Sequence, residues 1–430
     1  MNVGKTMERK RIMKTERLKC LYVWMACTFC VLSVASCVND GYEDGKMESE
    51  NVTVNLNFKA GDIKVETDGT VAENRLNSIR VYVFNGDGED ARLLGYHHEK
   101  AIPGNSVEYS FPIELGLKQS QTGQKCRFYI VANEDEAGGL HLPDDDTGPF
   151  SFPEATRDEV DGAWSFKDGE DITPAELKSL RFNGLPSYGE PIPMAVEGSR
   201  TITSQNQQCE FILKRSVAKL CMYFAKTGGG ELYMDRGMYL YNVPEEGYLF
   251  PQKTLTDNNI GAIGHTETDL DTEEKPDSEH QRGGKELLVP NYLDGTTTPA
   301  HKNEITKGYP LKGEPSGPDP DNYQMLPAEP VYMFAHYTGV ENPTGAGIAG
   351  TDRGYYVKLL FHMHESNDAE DGDGEYENHD GKIHRVFLPK IEANDEVRVF
   401  SHIYMKGYIE LQLHWMVAGW QTGGGDIVFN

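Results

Sequence analysis

The chain has 430 residues, with 41 Lys and Arg against 68 Asp and Glu and a formal net charge of −27. So acidic a balance argues against nucleic acid as a partner, since binding it relies on basic clusters. Of the seven cysteines, only Cys126, Cys209 and Cys221 lie beyond residue 37, too sparse and uneven a set for a disulfide scaffold. Each of the three has apolar or β-branched neighbours, which predicts buried thiols and leaves one bridge open.

Seven basic residues from Lys5 to Lys19 precede an apolar stretch from Cys20 to Ala35, the pattern of a secretory signal peptide. Its length of about 16 residues, interrupted by Ser33, falls short of the roughly 20 that a membrane-spanning helix needs. A start at Met13 would still leave a charged leader. The stretch closes with Val34-Ala35-Ser36-Cys37, small residues running into a cysteine, which resembles a lipobox. Cleavage is therefore expected between Ser36 and Cys37, with acyl chains on the Cys37 thiol. Each buried methylene contributes about 0.8 kcal/mol, so a multiply acylated cysteine is a stable anchor. An acidic tether, 37–51, carries Asp40, Glu43 and Asp44 and is similar to the surface-export signals of some outer-membrane lipoproteins. Loss of residues 1–36, with seven basic and two acidic side chains, makes the mature chain more acidic still.

Strand periodicity dominates from there. Val52, Val54, Leu56 and Phe58 alternate with Thr53, Asn55 and Asn57, a period of two that only a half-buried strand uses. Further strands are expected at 79–84, 107–111, 127–132, 209–213, 219–224, 238–242, 331–336, 355–364, 384–388, 396–404 and 409–417, separated by glycine and proline clusters. One short helix is signalled by Thr173-Pro174-Ala175-Glu176, an N-cap, a first-turn proline and a reciprocal Glu. The polar stretch 197–208 reads as a domain boundary, and residues 253–330 as long acidic loops. The pattern is that of β-sandwiches, and the length suits two domains.

Few motifs carry chemistry. Gly345-Ala346-Gly347-Ile348-Ala349-Gly350 has the letters of a dinucleotide fingerprint but is followed by a strand, where a pyrophosphate site needs a helix N-terminus. His362 and His364 share one strand face, without a third ligand at fixed spacing, so a solvent-facing pair is the simpler reading. The carboxylates between Asp368 and Asp380 lack the spacing of a calcium loop. With no nucleophile elbow, Walker lysine or zinc-protease pair, the expectation is no enzyme, no cofactor and no metal.

Five stretches carry a family resemblance: Leu76 to Asn85, Phe128 to Glu134, Ile192-Pro193-Met194, Leu213 to Leu220 and Ile409 to Trp420. In this order they resemble the fimbrillin family, the type V pilin lipoproteins. The resemblance implies an all-β fold of two tandem transthyretin-like β-sandwich domains with one or two short helices, placed at 52–204 and 205–407 and followed by a donor strand segment at 408–430. It also implies a life history on the cell surface: export as an outer-membrane lipoprotein, cleavage after an arginine, loss of the first strand, and its replacement by a neighbour's carboxy-terminal strand. Matched to this chain, the removable piece is 52–75 and the cut falls between Arg75 and Leu76, with Lys64 and Arg80 as rivals. The link between them, from Lys59 to Asn74, is polar and glycine-bearing, and is expected to be open to a protease. The donor face is Ile409, Leu411, Leu413, Trp415 and Val417, which alternate with Glu410, Gln412, His414 and Met416. That face could equally be the last core strand of the second sandwich. The partners implied are other pilin subunits, the outer membrane and a host or bacterial surface ligand. Stalk, accessory and tip roles stay open, and a glycan-binding surface lipoprotein is the alternative function.

Overall fold

Alternating side chains set the first strand: β1 (Asn51–Ala60) buries Val52, Val54, Leu56, Phe58 and Ala60, and the residues between them stay half-exposed. The computed structural model describes residues 51–60, 70–143, 148–228, 230–234, 238–241, 243–244, 246–250, 285–288, 303–309, 319–335, 356–364, 383–388, 391–405, 409–419 and 427–429. The leader, Ser36, Cys37, the acidic tether, Lys64, the glycine loop and the acidic loop at 368–380 lie outside them.

After β1 the chain forms α1 (Thr70–Glu73), β2 (Ile79–Phe84), β3 (Leu93–Glu99), β4 (Glu108–Lys118) and β5 (Gln124–Ala132). A small hairpin of β6 (Ala155–Arg157) and β7 (Trp164–Phe166) leads to α2 (Pro174–Ser179). This helix starts as its sequence predicts. The Thr173 Oγ1 accepts the Glu176 N–H at 3.2 Å, and Glu176 accepts the Thr173 N–H at 2.8 Å. Then come β8 (Arg181–Phe182), β9 (Met194–Ile202) and β10 (Gln207–Arg215). Seven of these strands make one sheet in the order β3-β2-β5-β9-β10-β1-β4, antiparallel throughout except where β1 lies parallel to β10. The two ends of that order meet again: a Cβ on Gly95 of β3 would sit 2.8 Å from Leu115 of β4. The sheet thus folds over a core that includes Leu56, Phe58, Val81, Phe128 and Phe211.

The chain changes sheet at Ser216 and Val217. It continues as β11 (Ala218–Thr227), β12 (Glu231–Tyr233), β13 (Met238–Tyr241), β14 (Gly247–Tyr248), β15 (Lys285–Leu288), β16 (Gln324–Met325) and β17 (Val331–Met333). The last strands are β18 (Tyr356–Leu360), β19 (His362–His364), β20 (Ile383–Phe387), β21 (Asp395–Met405), β22 (Ile409–Gly419) and β23 (Ile427–Phe429). A six-stranded sheet runs β16-β11-β21-β22-β23 with β17 also on β11, and a four-stranded sheet runs β15-β13-β18-β20. Both contribute to one core, with Leu220, Met222, Leu240, Val357, Val397 and Val399 inside it. Among the described residues the chain is all-β apart from short helical turns, as its periodicity predicts. A third cluster, with Tyr82, Tyr129, Leu177, Phe182, Phe250 and Phe334, packs the outer face of the first sheet against residues of the second half.

Three expectations need correction. The polar stretch 197–208, and with it the boundary at 204/205, does not separate the sheets. β9 pairs with β5 through Ile202, and β10 then joins the first sheet between β9 and β1. Residues 253–330 are not loop alone, since β15, β16 and bridges from Glu304 and Gly308 lie within them. The expected strand at 355–364 divides at Phe361, with β18 on β13 and β19 on β12. Cys126, Cys209 and Cys221 are free and buried, and burial pushes the thiols of Cys126 and Cys221 up to about 12.

A polar network ties the β2–β3 face to the segment before β6. Arg80 makes a two-pronged ion pair with Glu134 at 2.8 Å, and Glu154 receives Tyr96 at 2.8 Å and faces His98 at 3.0 Å. Burial raises the Glu154 carboxyl, but the hydrogen bonds from His98 and Tyr96 and the Arg80 charge outweigh it and hold it at about 2. A folded-state value below the unfolded one contributes stability that is complete above pH ~4.5 and disappears as pH falls through ~2. Glu154→Gln is therefore expected to flatten the acid limb of thermal stability between those values, as read by melting curves across pH.

Candidate functional site

The first strand is the part of the first sheet that the sequence leads one to expect to be removable, so its surroundings define the candidate site. β1 lies between β10, with Val54 opposite Gln207 and Ala60 opposite Leu213, and β4, with Val54 opposite Ile113 and Lys59 opposite Glu108. Its inner face is continuous with the core: Phe58 stacks on Phe111 at 5.3 Å and near Phe211 at 6.2 Å. Its outer face is held by amides. Asn57 Nδ2 donates to Gln208 Oε1 at 3.0 Å, Asn55 Nδ2 to the Asn206 carbonyl at 3.2 Å, and the Thr53 N–H to Gln205 Oε1 at 2.7 Å. Without β1, the ladders of β4 and β10 face an empty slot lined by apolar side chains.

The link that follows is not an open loop where it is described. α1 delivers Glu73 into the interior, fully buried, and the chain then passes through Asn74 and Arg75 to Leu76, also fully buried. Asn133 Nδ2 donates to the Arg75 carbonyl at 2.8 Å, and the Leu76 N–H donates to the Ser106 carbonyl at 2.8 Å. Both sides of the expected Arg75–Leu76 scissile bond are thus tied down, while the Arg75 side chain is half-exposed and reaches Asn105 at 3.4 Å. Arg80, the rival at the start of β2, is buried in its pair with Glu134. A protease must bind an extended chain, so a cut at Arg75 needs local opening of this segment. Asn133 sits in the left-handed region (φ 56°) and also donates to the Ile192 carbonyl at 2.9 Å, which fixes its amide beside the Arg75–Leu76 bond. Asn133→Ala is expected to speed tryptic cleavage after Arg75 by roughly 5- to 30-fold, from the loss of about 1–2 kcal/mol of protection. Timed digestion with mass spectrometry reads the rate.

Glu73 was not foreseen from the sequence, where it looks like one more charge in a polar link. Its Oε2 accepts Lys219 Nζ at 3.0 Å and its Oε1 accepts the Tyr332 hydroxyl at 2.6 Å. Lys219 and Tyr332 are cross-strand partners on β11 and β17, so the second half of the chain holds the segment expected to be removed. Beside them Arg215, at 1% exposure, bonds Asn74 and donates to Asn394 Oδ1 at 3.1 Å. Burial pulls the Arg215 guanidinium down to about 10 against the raising effect of Glu73. Burial also raises the Tyr332 hydroxyl, and the Glu73 charge adds to it. Three cations within eight residues of an apolar strand pair, Lys214, Arg215 and Lys219, were the signal available in the sequence.

The expected donor residues lie in their own sheet. β22 pairs antiparallel with β21 from Ile409 opposite Met405 to Gly419 opposite Asp395, and β23 pairs with Trp415 to Val417. Ile409, Leu411, Leu413, Trp415 and Val417 therefore alternate along a strand outside β21, toward the sheet's edge, and Leu411 packs half-buried on the second core.

Fold and site together describe an all-β, sandwich-built chain whose first sheet is completed by the strand expected to be removable. Residues 51–158, which span β1 to β6, match the family described as major fimbrial subunit protein (FimA). The matched segment includes two of the stretches that carry the resemblance noted above, Leu76 to Asn85 and Phe128 to Glu134. Similar solved structures include the tip fimbrial protein Mfa3 from Porphyromonas gingivalis, at 14% identity and a TM-score of 0.43, covering 86% of this chain and 100% of that one. Another is a fimbrial assembly protein from Parabacteroides distasonis, at 10% identity and a TM-score of 0.39, covering 88% and 99% respectively. No curated protein matches the chain.

Proposed function

We propose that the protein is a structural subunit of a surface fimbria that polymerises by strand replacement and serves adhesion. The observation that carries this reading is the place of β1. It supplies an interior strand of the first sheet, with five buried side chains, yet a single cut at Arg75 would leave it attached by hydrogen bonds and packing alone. An extended segment entering the vacated slot would regain both ladders and bury alternate side chains. The carboxy-terminal segment has the matching pattern and lies at a sheet edge, where it can leave without opening the sheet's interior. Acylation of Cys37 would hold the precursor in the outer membrane until the cut frees it. Limited trypsin digestion of the acylated precursor, followed by mass spectrometry and native gels, tests the proposal. A cut after Arg75 with a ladder of oligomers is the expected result, and Cys37→Ser should remove the precursor from the membrane fraction without changing the ladder. A cut chain that stays monomeric at every concentration would sink the reading.

A further inference from the structure

The cut that frees β1 also carries away Glu73, and what stays behind is chemically specific. Lys219 and Tyr332 are fixed side by side by the β11–β17 ladder, each within hydrogen-bond distance of one oxygen of the same carboxylate. Neither residue belongs to the segment that leaves. Arg215 remains next to them, and so does Glu396, opposite Lys219 in the β11–β21 pairing, with its Oε1 on Arg398 Nε at 2.6 Å. Two buried cations and one hydroxyl donor then surround the position that the Glu73 carboxylate occupied, with Lys219 Nζ and the Tyr332 hydroxyl set to donate one hydrogen bond to each oxygen of a carboxylate placed there.

The place also lies where the groove ends. Ala60 is opposite Leu213, so Arg215 stands two register steps beyond the last residue of β1. On the other side the Ala60 N–H donates to Val107 and the Leu76 N–H to the adjacent Ser106, which puts Leu76 in line with the strand. A strand that enters parallel to β10 therefore emerges beside these cations.

We propose that, once residues 51–75 have gone, the vacated position of the Glu73 carboxylate is a recognition site for a carboxylate on the incoming strand, bound by Lys219 and Tyr332 with Arg215 alongside. The proposal rests on the strand-replacement reading and adds a chemical selection to it: shape and apolar alternation fill the groove, and an acid just past its end selects among candidate strands.

Two experiments separate the site from that reading. In the intact chain, Glu73→Ala leaves the same donors without their acid, and formate is a carboxylate small enough to take its place. The melting temperature of this variant is expected to rise more in sodium formate than in sodium chloride of equal ionic strength. Neither the parent protein nor Glu73→Ala combined with Lys219→Met should distinguish the salts. Equal responses by the single variant overturn the site and leave strand replacement untouched. In the second experiment, protein cut after Arg75 and stripped of residues 51–75 in denaturant is refolded with the peptide 51–75 or the same peptide with Glu73→Gln. The acidic peptide is expected to bind at least about 10-fold more tightly, the worth of a charge-assisted hydrogen bond, and the preference should vanish in Lys219→Met. Equal binding of the two peptides again overturns the site. Failure of both to enter counts against strand replacement, and the formate response then decides the site alone. Should Glu73→Ala not fold, the peptide pair decides it.

Discussion

A subunit cut after Arg75 and stripped of residues 51–75 will not persist as a folded monomer. Val52, Val54, Leu56 and Phe58 are each at most 2% exposed. At roughly 1.5–3 kcal/mol per buried side chain they contribute about 6–12 kcal/mol. Whole domains of this kind are stable by only about 5–15 kcal/mol, so the loss consumes most or all of the margin. Two further losses run the same way: the ladders to β4 and β10, and the Glu73 carboxylate that Lys219 and Tyr332 bond. A chain that is cut but not stripped keeps every one of these contacts. It should melt close to the intact protein, with the cut visible only on a denaturing gel. The measurement is a urea curve by far-ultraviolet circular dichroism on three samples: intact, cut, and cut with the segment removed in denaturant and then desalted. An unchanged urea midpoint in the stripped sample would mean that β1 is an accessory to the sheet and that no empty groove drives assembly.

The contrast between β1 and its tether shows what the sequence could and could not convey. β1 was legible because one face meets a core and the other meets water, so burial and alternation coincide residue by residue. α2 was legible because a capping box is a local device, complete within four residues. β9 was not: its middle reads Glu197-Gly198-Ser199-Arg200-Thr201, with no apolar alternation, although it pairs with β5 along its whole length. Gly198 explains part of that, since a Cβ there would lie 3.0 Å from the Phe211 ring, so the core takes its apolar group from the neighbouring strand. β3 was hidden for a similar reason, because Gly95 yields its place to Leu115 and because His97 packs on Phe111 at 3.8 Å. Glu73 was illegible in a stronger sense. Its partners lie well over a hundred residues away, and a buried charge in a polar link looks the same in sequence as a solvated one until the fold brings its cations to it.

Deleting residues 409–430 is expected to abolish polymer growth while leaving a subunit that can still accept a strand. The sheet order puts β22 and β23 outside β21, so the deletion exposes the edge of β21 from Asp395 to Met405 without removing any strand that β11 or β17 pairs with. The second core keeps Leu220, Met222, Val397 and Val399, and among the described residues only Leu411 of the deleted segment packs against it. The truncated chain should therefore fold, with a lower melting temperature, and its first sheet, on the far side of Ser216 and Val217, should be cut after Arg75 as before. What it lacks is the segment with Ile409, Leu411, Leu413, Trp415 and Val417 on one face. At roughly 1.5–3 kcal/mol each, those five side chains would supply most of the free energy of a subunit contact, set against an association cost of at least about 4 kcal/mol. Without them the cut protein should give no ladder on native gels. Mixed with cut full-length protein it should act as a terminator, shortening the polymers in proportion to its share, because its groove is filled and it has nothing to pass on. If ladders of the truncated protein alone match those of the full chain, another segment fills the groove. If the truncated protein fails to shorten mixed polymers, the groove of β1 is not the acceptor.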